Sequence, residues 1–156
     1  MNNMSLHLVF NSKTNHLKGF TPDKEPIKLT NGYGKQVDWL QMRENATRDD
    51  YGYYGECPPG EYKLMAPENV HASAFGDWYI GLIDYNGHWE QYNRSFIAIH
   101  GGGSGLSNSF KYPDQGWVIT HGCLRMQNGD LANLVKTIRA AQKVGNVYLK
   151  VSNEDE

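Results

Sequence analysis

Apolar and polar positions alternate along this chain in short runs rich in β-branched and aromatic residues, with clusters of Gly, Asn, Asp and Pro between them. Alternation with a period of two turns one face of an extended segment toward a core. Five runs therefore predict strands, over residues 6–10, 61–65, 78–84, 95–100 and 117–120. One segment has a different period. Leu131, Leu134, Val135, Ile138 and Ala141 recur at helical spacing as a single apolar stripe, which predicts a core-facing helix over 130–143. Asn128 or Asp130 is placed to cap its start, and Gly145 to end it. Beyond it Val147, Leu149 and Val151 alternate with Tyr148 and Lys150, as in a last strand that returns to the sheet. The pattern predicts a mainly β fold, a sandwich or barrel with one packed α-helix near the C-terminus. Between 30 and 60 the periodicity fades: Tyr33, Trp39, Tyr51, Tyr53 and Tyr54 are scattered among Gly and Asp, with a weak helical hint across 37–43. That stretch reads as a long ordered loop whose aromatic residues either wall a binding site or cap the edges of the core.

With 156 residues the chain fits a single domain, 1–156, large enough to bury a core without covalent staples. A net charge of −2 and the lack of any Lys/Arg run give no electrostatic basis for binding nucleic acid, and no apolar run is long enough for membrane insertion. The first ten residues lack the basic start and apolar stretch of a signal peptide, so the expectation is a chain synthesised without one. Two cysteines, Cys57 and Cys123, allow one disulfide at most, and a domain of this size does not need it. Cys57, in Glu56-Cys57-Pro58-Pro59-Gly60, reads as a small buried residue at a turn.

Chemistry concentrates in Thr120-His121-Gly122-Cys123-Leu124-Arg125-Met126, where a thiol stands beside an imidazole on a glycine turn. A thiol near neutral pH is mostly protonated, so a cysteine nucleophile needs an imidazole to take its proton. Two histidines compete for that role. His121 is two residues from Cys123 and shares its face in an extended segment. His100 ends the strand predicted over 95–100; if that strand neighbours the one ending at Thr120, both reach one edge of the sheet, the spatial adjacency such dyads show. Gly122 permits a sharp turn that aims N–H groups near Cys123 at one point, as an oxyanion hole requires. Arg125 either grips a substrate carboxylate or amide or buttresses the loop through carbonyl contacts. Other readings lack residues. Gly101-Gly102-Gly103-Ser104-Gly105 has neither the lysine nor the spacing of a phosphate-cradling loop and reads as a flexible flap. His100-Gly101-Gly102-Gly103 is not accompanied by the G-x-S-x-G elbow of a serine hydrolase. His100, His121 and Cys123 lack the Cys-rich or H-x-x-x-H arrangement of a zinc site, so neither metal nor cofactor is expected.

These motifs resemble the YkuD-type catalytic domain of bacterial L,D-transpeptidases, marked by a strand-end His-Gly followed at a distance by Ser/Thr-His-Gly-Cys. Here the pair reads His100-Gly101 and Thr120-His121-Gly122-Cys123. Cys123-Leu124-Arg125-Met126 looks like the branch ending in Cys-Ile-Arg-Met, and Pro58-Pro59-Gly60-Glu61-Tyr62 resembles the turn before a family strand. The resemblance implies a β-sandwich enzyme acting on peptidoglycan stem peptides, a cysteine acyltransferase in which Cys123 attacks an amide next to a D-residue and forms a thioester. An amine resolves that thioester as transpeptidation or exchange; water resolves it as L,D-carboxypeptidase or endopeptidase cleavage. It also implies that His100 takes and returns the proton, His121 shapes the pocket, the N–H groups of Gly122 and Cys123 hold the oxyanion, and Gly101 orients His100 through its carbonyl. Thr120, Arg125, Tyr112 and Trp117 are the candidate substrate contacts. A non-catalytic cell-wall-binding relative is the alternative from another class.

The sequence departs from the family in three places. The stretch from His100 to Thr120 is longer than the common spacing, which makes 102–116 an elaboration with its own aromatic contacts, Phe110, Tyr112 and the adjoining Trp117. Arg125 stands where another branch has asparagine. The expected lack of a signal peptide conflicts with the implied substrate, which lies in the periplasm or cell wall. The expectation is a non-Sec route, as in small signal-less secreted antibacterial effectors of similar type, with an immunity protein as partner in that case.

Overall fold

The structure, a computed structural model, describes residues 5–44, 57–84, 97–118 and 123–154. Its strands close on themselves. β1 (Leu6–Asn11) pairs in parallel with β12 (Val147–Ser152). From there the sheet runs through β7 (Gly60–Leu64), β9 (Gly76–Ile83), β10 (Ala98–His100), β11 (Leu124–Met126), β6 (Leu40–Arg43) and β2 (His16–Phe20), and β2 pairs back to β1. Among the described residues, closure leaves the ring of strands from β1 round to β2 without a free end. Of the two architectures the pattern allowed, the barrel is the one formed. β3 (Pro26–Ile27) extends from β2, β8 (Glu68–Ala72) extends from β9, and β4 (Leu29–Thr30) with β5 (Gln36–Val37) makes a separate hairpin.

The predicted alternation is what fills the interior. Leu6, Leu8 and Phe10 of β1 and Val147, Leu149 and Val151 of β12 are all buried, with Tyr148 and Lys150 turned the other way. α1 (Asn128–Gln142) packs on β4, β9 and β12 and buries Leu131, Leu134, Val135 and Ile138. At roughly 1.5–3 kcal/mol for each large side chain, that stripe holds the helix far more firmly than propensity could. Its ends differ in detail from the expectation. Gln127 is the N-cap and makes no side-chain cap bond, whereas Gly145 does close the C-terminus, its N–H reaching Ala141 O at 3.0 Å.

Two readings of the middle of the chain are corrected. The helical hint across 37–43 is strand, because Leu40 and Met42 are buried while Gln41 and Arg43 are not, a period of two. Trp117 and Val118 are not in a strand; the next strand among the described residues is β11, from Leu124. The rest of the strand predicted over 117–120, residues 95 and 96, and Tyr51, Tyr53 and Tyr54 lie outside the described residues. Cys57 is buried as expected, with its N–H donating to Glu44 Oε2 at 2.8 Å.

Candidate active site

The site is built on the parallel pairing of β10 with β11, which sets Ile99 opposite Leu124 and His100 opposite Arg125. Ile99 and Leu124 point into the core, so His100 and Arg125 share the other face. Cys123 immediately precedes β11, two residues before Arg125 and beside Ala98, whose backbone N–H hydrogen-bonds the sulfur. On the other side β9 sets Tyr79 opposite His100, and the two rings lie parallel with centroids 6.3 Å apart. Burial first, and then the charge of a Cys123 thiolate, raise the Tyr79 phenol above its ordinary range. Tyr79 thus lies alongside the imidazole and within electrostatic reach of the sulfur. Phe75 closes the pocket with an edge contact to His100, centroids 4.9 Å apart.

His100 is 3 % exposed. Burial, opposed by the Gly101 carbonyl and assisted by the nearby Arg125 charge, pushes its pKa down to about 4. Its Nδ1 lies 2.9 Å from Gly101 O. A carbonyl can only accept, so Nδ1 carries the proton and Nε2 keeps its lone pair. Cys123 is half-buried, and burial pushes its thiol up against the opposing pull of the Ala98 N–H and the Arg125 guanidinium. At neutral pH the resting site holds a neutral thiol and a neutral imidazole.

Arg125 takes the buttressing role that the sequence left open. It is 4 % exposed and donates from Nε to Gly101 O at 3.3 Å, from Nη2 to Ala74 O at 3.2 Å and from Nη1 to Val118 O. These contacts hold its guanidinium against three backbone carbonyls. Gly101 O accepts from both His100 and Arg125, so the arginine fixes the carbonyl that orients the histidine.

Residues 101–118 are not the flexible flap the glycines suggested. Asn128, 3 % exposed, accepts from Gly102 N–H at 2.9 Å and donates to Ser109 O at 2.8 Å and Lys111 O at 2.9 Å. Gln115 Nε2 donates to Met126 O at 2.9 Å and Gly102 O at 3.2 Å, while its Oε1 accepts from Asn128 N–H at 2.7 Å. Gln127 exchanges two bonds with the Gly116 backbone. Two glycines are required by this packing. A Cβ on Gly101 would lie 2.3 Å from Asn128 Oδ1, and Gly102, at φ +60, would place one 2.2 Å from Gly76 N.

The aromatic candidates take different places. Tyr112, 44 % exposed, donates to Asp77 Oδ2 at 2.8 Å; the other oxygen, Oδ1, meets His71 Nδ1 at 2.5 Å. That carboxyl is held below its usual range, chiefly by His71. The contact pins the loop to the β8–β9 hairpin, with Phe110 stacked on His71 at 4.1 Å. Trp117 lies under Arg43, whose guanidinium carbon is 4.5 Å from the ring centroid. Thr120, His121 and Gly122 lie outside the described residues. Sequence reasoning overlooked Tyr79, Phe75, Gln115 and the loop-holding role of Asn128. The run of amides Gln127-Asn128 directly after the Cys-Leu-Arg-Met segment was the available signal, and it reads equally well as a helix cap.

The chain matches the YkuD family, described as the L,D-transpeptidase catalytic domain, over residues 7–145. No curated protein matches it by sequence. Among solved structures it is similar to the helical cell shape determining protein Pgp2 from Campylobacter jejuni, at 16 % identity and TM-score 0.64, covering 97 % of this chain and 48 % of that one. It is also similar to Bd1075 of Bdellovibrio bacteriovorus, at 13 % identity and TM-score 0.56, covering 96 % and 48 %. An L,D-transpeptidase from Mycobacterium tuberculosis matches at 12 % identity and TM-score 0.54, covering 95 % and 57 %. At these identities the likeness is one of fold, and the chain spans about half the length of the solved chains it matches.

Proposed function

Because this chain belongs to the L,D-transpeptidase catalytic domain family, we propose that it is a cysteine acyltransferase acting on peptidoglycan stem peptides. The observation that carries the reading is the β10–β11 register, which sets Cys123 beside Ala98 and His100 two residues further along the same strand, with Tyr79 alongside the imidazole and within electrostatic reach of the sulfur. In this reading Nε2 of His100 takes the thiol proton as Cys123 Sγ attacks the carbonyl carbon of an amide next to a D-residue. The C–N bond then breaks, His100 returns the proton to the departing amine, and an acyl thioester remains on Cys123. An incoming amine attacks that thioester, gives its proton to His100, and releases the thiol as the new amide forms.

A neutral resting pair suits this sequence, since proton transfer then accompanies attack rather than preceding it. The Ala98 N–H and Arg125 favour the thiolate as it forms. The N–H groups of Gly122 and Cys123 are the proposed donors to the oxyanion, and His121 the second imidazole of the pocket. Intact-protein mass spectrometry after incubation with a carbapenem tests the nucleophile: a covalent adduct is expected on the wild type and none on Cys123→Ala. The same adduct on the variant overturns the assignment. Incubating tetrapeptide muropeptides with and without a D-amino acid acceptor then separates exchange from trimming.

A further inference from the structure

A second concave surface is lined by neither Cys123 nor His100. It has a volume of about 500 Å³ and lies between the β4–β5 hairpin, β6, Asp114 of the ordered loop and Asp130 in the first turn of α1. Two aromatic residues stand on it unusually open to solvent, Tyr33 at 67 % and Trp39 at 43 % exposed. Both are held in place. Tyr33 donates its hydroxyl to Asp114, and His16 stacks on the Trp39 indole with centroids 3.8 Å apart and planes 13° from parallel. The hairpin carrying them is tied to the helix by Gly32 N–H to Asp130 Oδ1 at 2.7 Å and by Asn133 Nδ2 to Asn31 O at 2.6 Å. Fixed aromatic residues lose little conformational entropy when a ligand arrives, and a volume of this size is within the range of small-molecule sites.

The polar groups say what kind of ligand fits. Each carboxylate in the cleft already has a partner: Asp38 pairs with Lys28, Asp114 accepts from Tyr33, and Asp130 accepts from the Gly32 N–H. The Tyr33 hydroxyl and the Gly32 N–H are neutral donors, so Asp114 and Asp130 keep their charge and serve as strong acceptors. The other lone pairs of the carboxylates, the Gln36 amide, whose Nε2 also donates to Thr30 Oγ1 at 2.8 Å, and the Gln41 amide, held against Arg43, add further acceptors and donors. Carboxylate and amide hydrogen bonding beside flat aromatic faces matches a pyranose, whose ring has an apolar C–H face and a hydroxyl rim, and an N-acetyl group adds one amide to pair.

We propose that this cleft binds a neutral glycan chain of N-acetylhexosamine units, with Trp39 and Tyr33 as the platforms. As a substrate subsite it rests on the peptidoglycan reading: β6, which lines the cleft through Leu40 and Gln41, pairs with β11, the strand that directly follows Cys123. The probe is a β-1,4-linked tetramer of N-acetylglucosamine, which has no stem peptide and leaves Cys123 nothing to acylate, so its outcome is independent of whether the acyl transfer occurs. Titrated into isotope-labelled protein and followed by amide chemical shifts, the sugar is expected to move Tyr33, Gln36, Trp39 and Asp114 saturably. Trp39→Ala and Tyr33→Ala should each weaken binding about tenfold, the effect of losing one stacking face, while Tyr33→Phe, which keeps the ring but loses the hydroxyl that holds it to Asp114, should fall between Tyr33→Ala and the wild type. Tyr33 is exposed on a turn, so its variants test the cleft even if Trp39→Ala disturbs the His16 stack. The proposal is overturned if no saturation is reached by about 10 mM, if the shifts lie elsewhere, or if both alanine variants bind like the wild type. It is equally overturned if spermidine occupies the same residues more tightly than the sugar, which would make the cleft a cation site.

Discussion

Lowering the pH should destabilise this protein through His100 before its surface carboxylates titrate. The imidazole is 3 % exposed and titrates at about 4 in the folded state, against roughly 6.5 in an unfolded chain. Below pH 6.5 the unfolded state therefore binds a proton that the folded state refuses, and stability falls as pH drops until the folded pKa is reached. From pH 7 to 4.5 the linkage amounts to about 2 kcal/mol, a large share of a typical domain's stability. Asp77, whose carboxyl is held down by His71, loses its contribution only below the ordinary carboxylate range. That loss lies outside the window and is common to the proteins compared. Urea unfolding followed by tryptophan fluorescence, on the wild type and on His100→Gln at both pH values, isolates the effect: the wild type should lose about 2 kcal/mol more than the variant. The acid limb of kcat/KM should likewise fall near pH 4 rather than 6.5. Equal losses in the two proteins would mean that the imidazole titrates as in the unfolded chain, and the argument from burial would fail.

Two further outcomes follow from the same geometry. Because burial holds the Cys123 thiol above its ordinary range, iodoacetamide should label the resting protein appreciably only in alkaline solution, and Arg125→Met should shift that profile higher; fast labelling at pH 6 would contradict a neutral resting pair. Asn128→Asp exchanges the donors to Ser109 O and Lys111 O for acceptors, so it should cost roughly 1–3 kcal/mol and open residues 101–118 to protease, with kcat falling more than KM rises. A variant with wild-type unfolding and protease resistance would show that the amide does not hold the loop.

Much of the fold was legible because period is a local property. The stripe of α1 and the alternation of β1 and β12 are written in consecutive residues, and the elements appeared within a few residues of their predicted bounds. β6 was misread because a four-residue strand followed by residues without a pattern offers too short a window to separate a period of two from one of 3.6. The loop at 101–118 was misread for another reason. Gly101, Gly102 and Gly103 look like freedom in one dimension, yet Gly101 and Gly102 are glycine because Asn128 and Gly76 occupy the space a side chain would need.

The candidate chemistry divides along the same line. The sequence alone determined which groups could react, a thiol on a glycine turn and a histidine at a strand end, because reactivity belongs to residue type. It could not choose between carbonyl-holding and substrate-gripping for Arg125, nor assign the tautomer and ionisation of His100. Those depend on burial, on the parallel register of β10 and β11, and on a carbonyl at Gly101 shared between the two side chains. Burial, the register and the Arg125 bond to Gly101 O all join segments well separated in the chain, and they come into being only when the barrel closes.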